Sequence, residues 1–186
     1  ASWLALAIAL ALWLRVGEVG TISYAIGNWP PPWGIEYRVD KLSAFVLVLV
    51  TGIAAVVLPY SRASIESEVP PQSHYLFYTM FVLCLAGLLG ITITGDAFNI
   101  FVFLEISSLS TYVLIALGRD RRALVASYQY LIMGTIGATF IVIGIGLLYL
   151  MTGTLNIVDM GRRIGAVQGR RAGIGTSVKT SKIGAI

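Results

Sequence analysis

The sequence has 186 residues, 57% of them hydrophobic and 12% charged, with a mean hydropathy of +0.84 and a formal net charge of +4. Ordinary soluble domains carry roughly twice that share of charge, so lipid is the principal solvent and a soluble enzyme fits poorly. A single cysteine, Cys84, excludes a disulfide scaffold, and charge placement argues against a nucleic-acid partner: six of the thirteen Lys and Arg follow Met160, where no acid occurs, leaving residues 1–159 at net −2.

Crossing the hydrocarbon takes about 20 mostly apolar residues in a helix. In chain order, the first apolar run is Ala1–Leu14, which is short. It reads as a spanning helix whose N-terminal part is missing; the alternative is the hydrophobic region of a signal peptide, without the basic segment that normally precedes it. Asn28 to Gly34 combines Trp29 and Trp33 with Pro30, Pro31 and Pro32, a composition suited to an interfacial loop. Full spans follow near residues 42–60, 75–94, 97–117 and 131–151. Ser61–Ser73, with Arg62, Glu66, Glu68 and two prolines, reads as a polar turn. Gly95 and Asp96 alone separate two spans, which requires an antiparallel hairpin.

Arg119, Asp120, Arg121 and Arg122 join the last two spans and make the best candidate for a cytoplasmic loop. The basic residues after Met160 then fall on the opposite side, against the positive-inside rule. The expected organisation is a transmembrane helical domain over residues 1–160 and a basic polar tail over 161–186. The tail's glycines match neither a phosphate-binding loop nor a dinucleotide fingerprint, and no metal-ligand or cofactor motif is expected elsewhere.

Glu105 is the most informative residue. It lies eight residues into its span, about 12 Å deep and near the bilayer midplane. A central acid costs roughly 2.5–3.5 kcal/mol on insertion scales, so its presence needs a reason. One reading is a neutral carboxylic acid bonded to a neighbouring helix for packing; the other is a protonatable relay group. Ser108 and Tyr112, at i+3 and i+7, share its stripe and can donate and accept hydrogen bonds, and Phe98 and Phe101 continue the stripe toward Asp96. Such a hydroxyl stripe also serves as helix–helix glue. Asp96 and Asp40 suit N-caps, and His74 stands at the entrance of a span. In the last span, Gly134 and Ala138 have small-xxx-small spacing, and Gly137, Gly144 and Gly146 thin the same helix.

The run from Gly95 to Tyr112, with Glu105 at its centre, resembles the glutamate-bearing helix of the proton-translocating antiporter-like subunits shared by respiratory complex I (NADH–quinone oxidoreductase), Mrp-type cation/proton antiporters and membrane-bound hydrogenases. Val39–Ala44, Tyr130–Ile132 and Leu148–Asn156 resemble neighbouring segments of that family, and the likeness is closest to the D-type subunits of Mrp antiporters.

The resemblance implies an all-α, polytopic membrane protein, here about five transmembrane helices of a partial antiporter-like fold, in a bacterial or archaeal inner membrane. It also implies that the chain is incomplete at both ends, roughly a third of a larger subunit. Glu105 matches the family's proton-exchanging glutamate, which is tuned by a lysine on a following broken helix. The lysines at that distance here, Lys179 and Lys182, lie in a polar Gly/Ser/Thr stretch without the expected Pro-Leu-His-like motif. The implied partners are other membrane subunits of a multi-subunit complex and protons, with Na+ as a candidate cargo ion. Redox chemistry, where present, belongs to partner subunits. The competing function is a truncated, transport-inactive bundle that packs against partners as a structural or assembly element.

Overall fold

The computed structural model describes residues 1–31 and 33–166. Five helices, α1 (Ser2–Val19), α2 (Lys41–Glu68), α3 (His74–Ile93), α4 (Ala97–Ala116) and α5 (Arg121–Thr152), are each long and apolar enough to cross a membrane. The protein is therefore an all-α, multi-pass membrane protein. Two short antiparallel strands, β1 (Ile22–Ala25) and β2 (Glu36–Val39), join α1 to α2, with Ser23 opposite Arg38 and Ala25 opposite Glu36.

The helix ends follow from local chemistry. Asp40 caps α2 by accepting from the Ser43 N–H at 2.8 Å, which with Arg38 holds its carboxyl below the ordinary aspartate value against the opposing effect of burial. Asp96 caps α4 through the Asn99 N–H at 2.9 Å, and Asp120 caps α5 through the Arg122 N–H at 3.1 Å. Gly153 ends α5 at a φ of 67°, a conformation glycine adopts without steric cost.

Three helices exceed their apolar windows: α1 continues past Leu14 through Arg15 and Glu18 to Val19, so the run that looks short in the sequence is an 18-residue helix. α2 runs through Pro59 to Glu68, so most of the expected Ser61–Ser73 turn is helix. Its 28 residues span about 42 Å against a hydrocarbon core of about 30 Å, which carries the Arg62–Glu66 pair out into water. α5, with 32 residues, likewise extends beyond the core.

Packing is tight where side chains are small. α1 and α2 meet over Ala9, Val16, Ala44 and Leu47, with Ala44 and Val16 almost fully buried. A Cβ on Gly87 of α3 would come within 2.8 Å of Ser107 of α4, and one on Gly90 would enter the Phe103 ring. Lipid tails are as apolar as these side chains, so close van der Waals approach rather than expulsion of water holds the helices together.

The connections at one end of the bundle are stitched to one another. Gly95 N–H donates to the Glu36 carbonyl at 2.8 Å, Ala97 N–H to Leu155 at 2.9 Å, and Ile157 N–H back to Gly95 at 3.0 Å. Tyr37 pairs with Thr94, and Asp96 with Asn156. Within this knot the buried Glu36 carboxylate accepts from the Ser23 hydroxyl and from the Asn156 side-chain amide at 2.8 Å.

Beyond α5 the chain is helical again over residues 157–166. Asn156 caps this stretch by accepting from the Val158 and Asp159 N–H groups, both at 3.1 Å. Arg163 pairs with Asp159 at 2.9 Å and donates to the Thr152 carbonyl at 2.9 Å. Its charge thus complements the C-terminus of α5, a local role that accounts for a basic residue at the end opposite the Arg119–Arg122 loop. Arg170, Arg171, Lys179 and Lys182 lie outside the described residues.

Candidate functional site in the α4–α5 seam

The seam is set by α4 and α5 running antiparallel. At one end the Tyr112 side chain is buried, with its hydroxyl lying directly over Gly134 and its ring edge-on to Tyr130 at 5.3 Å between centroids. Ser127 donates to the Tyr112 carbonyl at 2.7 Å, an interhelical bond of the kind worth about 1 kcal/mol in a membrane. The small-xxx-small pair therefore has a defined function in packing: Gly134 seats Tyr112, and Ala138, one turn further, is buried in the same seam. Gly137, Gly144 and Gly146 meet no atom within 4 Å among the described residues.

Glu105 is the ninth of the twenty residues of α4, close to its middle, and is half-buried. It opens into a cleft of about 360 Å³ lined by Phe101 and Glu105 from α4 and by Thr135, Ala138, Thr139, Val142 and Ile143 from α5. Apart from Glu105 the polar groups of the lining are Thr135 and Thr139. Each hydroxyl donates to its own helix, Thr135 to the Leu131 carbonyl at 2.6 Å and Thr139 to the Thr135 carbonyl at 2.8 Å.

Of the residues expected around Glu105, Phe101 shares the cleft and Tyr112 lies two turns along the same seam. Ser108 is half-buried on α4 and does not line the cleft. Its neighbours Ser107, Ser110 and Thr111 donate to carbonyls of their own helix at 2.7–2.9 Å, the habit of hydroxyls that relieve themselves in an apolar medium. The two threonines of α5 escape a reading of the sequence centred on the glycines of that helix; their i, i+4 spacing, with Ala138 between them, is the signal that places them on one face.

Among the described residues the ion pairs are Arg62–Glu66 and Arg163–Asp159, so Glu105 has no cationic partner there. Nor do three or more His, Cys, Asp or Glu side chains gather as a metal site among those residues.

A mid-span carboxyl in a seam of apolar helices is costly enough to need a reason, and the class of protein, a multi-pass membrane subunit, is made specific by comparison with known proteins. Residues 94–180 match the family model described as "NADH:quinone oxidoreductase/Mrp antiporter, TM". The chain is 47% identical over 154 residues to NADH-quinone oxidoreductase subunit N of Desulforudis audaxviator, covering 83% of this chain and 30% of that protein. It is 31% identical over 163 residues to the D-type subunit of the Na(+)/H(+) antiporter of Alkalihalophilus pseudofirmus, covering 88% and 32%.

Two solved structures share the fold. One is the membrane-bound sulfane sulfur reductase, an archaeal respiratory membrane complex (TM-score 0.78, 32% identity, 86% of this chain and 32% of that one). The other is the Mrp complex from Dietzia sp. DQ12-45-1b (TM-score 0.76, 26% identity, 83% and 29%). The chain belongs to the family of antiporter-like membrane subunits found in complex I and Mrp antiporters. It spans about a third of the length of the curated relatives it matches.

Proposed function

We propose that this chain forms part of a proton- or cation-translocating subunit in a multi-subunit membrane complex of the Mrp-antiporter or complex I type, with Glu105 as the proton-relay group. The reading rests on one observation: an ionisable side chain at mid-span of α4, opening into the α4–α5 cleft. The elementary step is reversible protonation, carboxylate plus H+ giving carboxylic acid. The apolar walls contributed by Phe101, Val142 and Ile143 limit water, so the charge on Glu105 responds strongly to charges moving nearby. Tyr112, locked over Gly134, fixes the spacing of the two helices that form the cleft, and Ser108 adds a hydroxyl one turn from Glu105. The complex resides in the inner membrane of a bacterium or archaeon, its cargo is protons with Na+ as the alternative ion, and its partners are other membrane subunits.

The test is Glu105→Gln in the assembled complex, with pH-driven dye quenching in inverted vesicles as the readout. Removal of a proton-transferring group lowers turnover by about a hundredfold or more, so proton movement falls to background while the complex still assembles. Wild-type flux from this variant rejects the relay.

A second reading, a structural or assembly element, draws on α5. That helix exposes Met133, Phe140, Leu147 and Leu150 beside glycines that meet nothing among the described residues, a surface shaped for another helix. Assembly lost on bulky substitution at Gly144 or Gly146, combined with normal flux in Glu105→Gln, selects it.

A further inference from the structure

We propose that the groove between α2, α3 and α4 holds an acyl chain of an anionic phospholipid whose phosphate is bound by the arginines of the loop joining α4 to α5. The site lies outside the α4–α5 cleft and stands apart from the relay reading.

The groove has a volume of about 280 Å³ and is walled by Val50 and Val57 of α2, Phe81, Cys84 and Leu88 of α3, and Leu114 of α4. No charged, amide or hydroxyl side chain of the described residues lines it, so it offers water no partner and in a bilayer is filled by hydrocarbon. Val57 and Leu88 are exposed at its rim, which lets a lipid tail enter sideways. Val50 to Val57 and Phe81 to Leu88 each cover about 10 Å of helix. A helix of that length, about 10–12 Å across, occupies about 800–1,100 Å³, far more than the groove holds, whereas one acyl chain is slimmer and suits it.

Charge selects the headgroup and the end of the bundle at which it sits. On α3 the wall continues from Phe81 through Phe77, whose ring stacks on that of Phe81 at 6.4 Å, to His74, two turns from Phe81 on the same stripe. There the two connections meet: the Arg119 N–H donates to the Glu68 carbonyl at 3.2 Å and its guanidinium to the Val69 carbonyl at 3.3 Å, an oxygen that also lies 3.1 Å from His74 Nε2. A guanidinium has five N–H donors, so Arg119 keeps most of them for an outside acceptor. Arg119, Arg121 and Arg122 are exposed, and none makes an ion pair among the described residues.

With Asp120 counted, their loop carries a net +2, a surplus that Glu68 alone does not cancel. Arg62 and Glu66 pair with each other, about 140° around α2 from Val57 in the case of Arg62, and stand apart from the groove. The connections at the β1–β2 end offer no counterpart, since their carboxylates Glu36, Asp40 and Asp96 outnumber the cations Arg38 and Lys41. A phosphate held at the arginine end and a tail lying in the groove below it therefore satisfy both surfaces with one molecule.

The probe is phosphatidylglycerol carrying a diazirine midway along one acyl chain, with phosphatidylcholine bearing the same chain as control, each added to the assembled complex in phosphatidylcholine vesicles. Light expels N2, the carbene inserts into a neighbouring C–H bond, and peptide mass spectrometry locates the adduct. Phosphatidylglycerol labels the segments Val50–Val57 and Phe81–Leu88 about fivefold or more above phosphatidylcholine, the preference expected of a single basic residue or more at an anionic headgroup. Arg119→Gln combined with Arg122→Gln removes the preference, and lysine at both positions keeps it. Val57→Trp or Ile53→Trp, both at exposed positions of the groove, fills it and lowers labelling there by both probes, with labelling elsewhere on the complex unchanged.

Equal labelling by the two probes overturns the proposal, as does a preference that survives the double glutamine variant or groove labelling that survives both tryptophans. A groove left unlabelled while the rest of the complex is labelled shows that protein covers it, and overturns the proposal equally.

Discussion

Replacing Glu36 by alanine removes the group in which the stitched end of the bundle converges. Two side-chain bonds go, and they are not equivalent. Ser23 is exposed, so water takes over its hydroxyl. Asn156 is 4% exposed, and its amide, which donates to Glu36 at 2.8 Å, is left without a partner and without access to water. A buried donor orphaned in this way costs about 1–3 kcal/mol, and a bond to a charged acceptor lies toward the upper part of that range. We therefore expect Glu36→Ala to destabilise the protein by about 2–3 kcal/mol, a fall of about 4–12 °C in the unfolding midpoint for a chain of this size.

The assay is thermal unfolding in detergent, completed as a double-mutant cycle with Asn156→Ala, where the pair should show a coupling of about 1 kcal/mol or more. The carboxyl is held below its ordinary value of 4.5 by the Ser23 hydroxyl first, then by the Asn156 amide and Arg38, with burial opposing them. A depressed native value means that the contribution is fully present above about pH 4.5 and is lost as pH falls through the lower native value; Glu36→Gln removes this acid-side loss. A change below about 0.5 kcal/mol for Glu36→Ala, or strict additivity with Asn156→Ala, refutes the reasoning.

Two further outcomes follow from the packing. Gly134→Leu drives a side chain into the Tyr112 hydroxyl, and the resulting overpacking should cost about 1–3 kcal/mol; Tyr112→Ala in the same chain should restore part of it, measured by the same melting experiment. Asp96→Ala removes the cap of α4 and should cost about 1 kcal/mol, with Asp96→Asn or Asp96→Ser retaining most of the stability, read as detergent-unfolding midpoints.

Much of this architecture is legible in the amino-acid order because lipid imposes a simple rule on it. The apolar windows at 75–94 and 97–117 nearly coincide with α3 and α4, since each helix, at 20 residues, is about as long as the hydrocarbon core is thick. Asp40 and Asp96 announce their caps by position alone. The extension of α2 to Glu68 is not visible in the same way, because a helix leaving the membrane becomes polar and resembles a loop in composition.

Contacts between distant residues leave no local trace either. Glu36 and Asn156 are 120 positions apart, and neither stands out in its own segment. The strands β1 and β2 are four residues each, too short for alternation to declare itself. At the site, Glu105 is conspicuous because a mid-span acid is expensive, whereas Thr135 and Thr139 cost little in any membrane helix and gain interest only from what faces them across the seam.

The asymmetry between the two ends of the bundle has a mechanical consequence. At the β1–β2 end, strands and connections interlock through bonds of 2.8–3.0 Å. At the other, three contacts of 3.1–3.3 Å converge on Glu68 and Val69: the Arg119 backbone, the Arg119 guanidinium and His74. The α4–α5 seam is held at that second end as well, by the four residues that join the two helices, the Ser127–Tyr112 bond at 2.7 Å and Tyr112 seated over Gly134. The cleft at Glu105 therefore lies between two fixed points, and slack in the bundle falls to the α2 extension, which the three longer contacts tie down, rather than to the cleft.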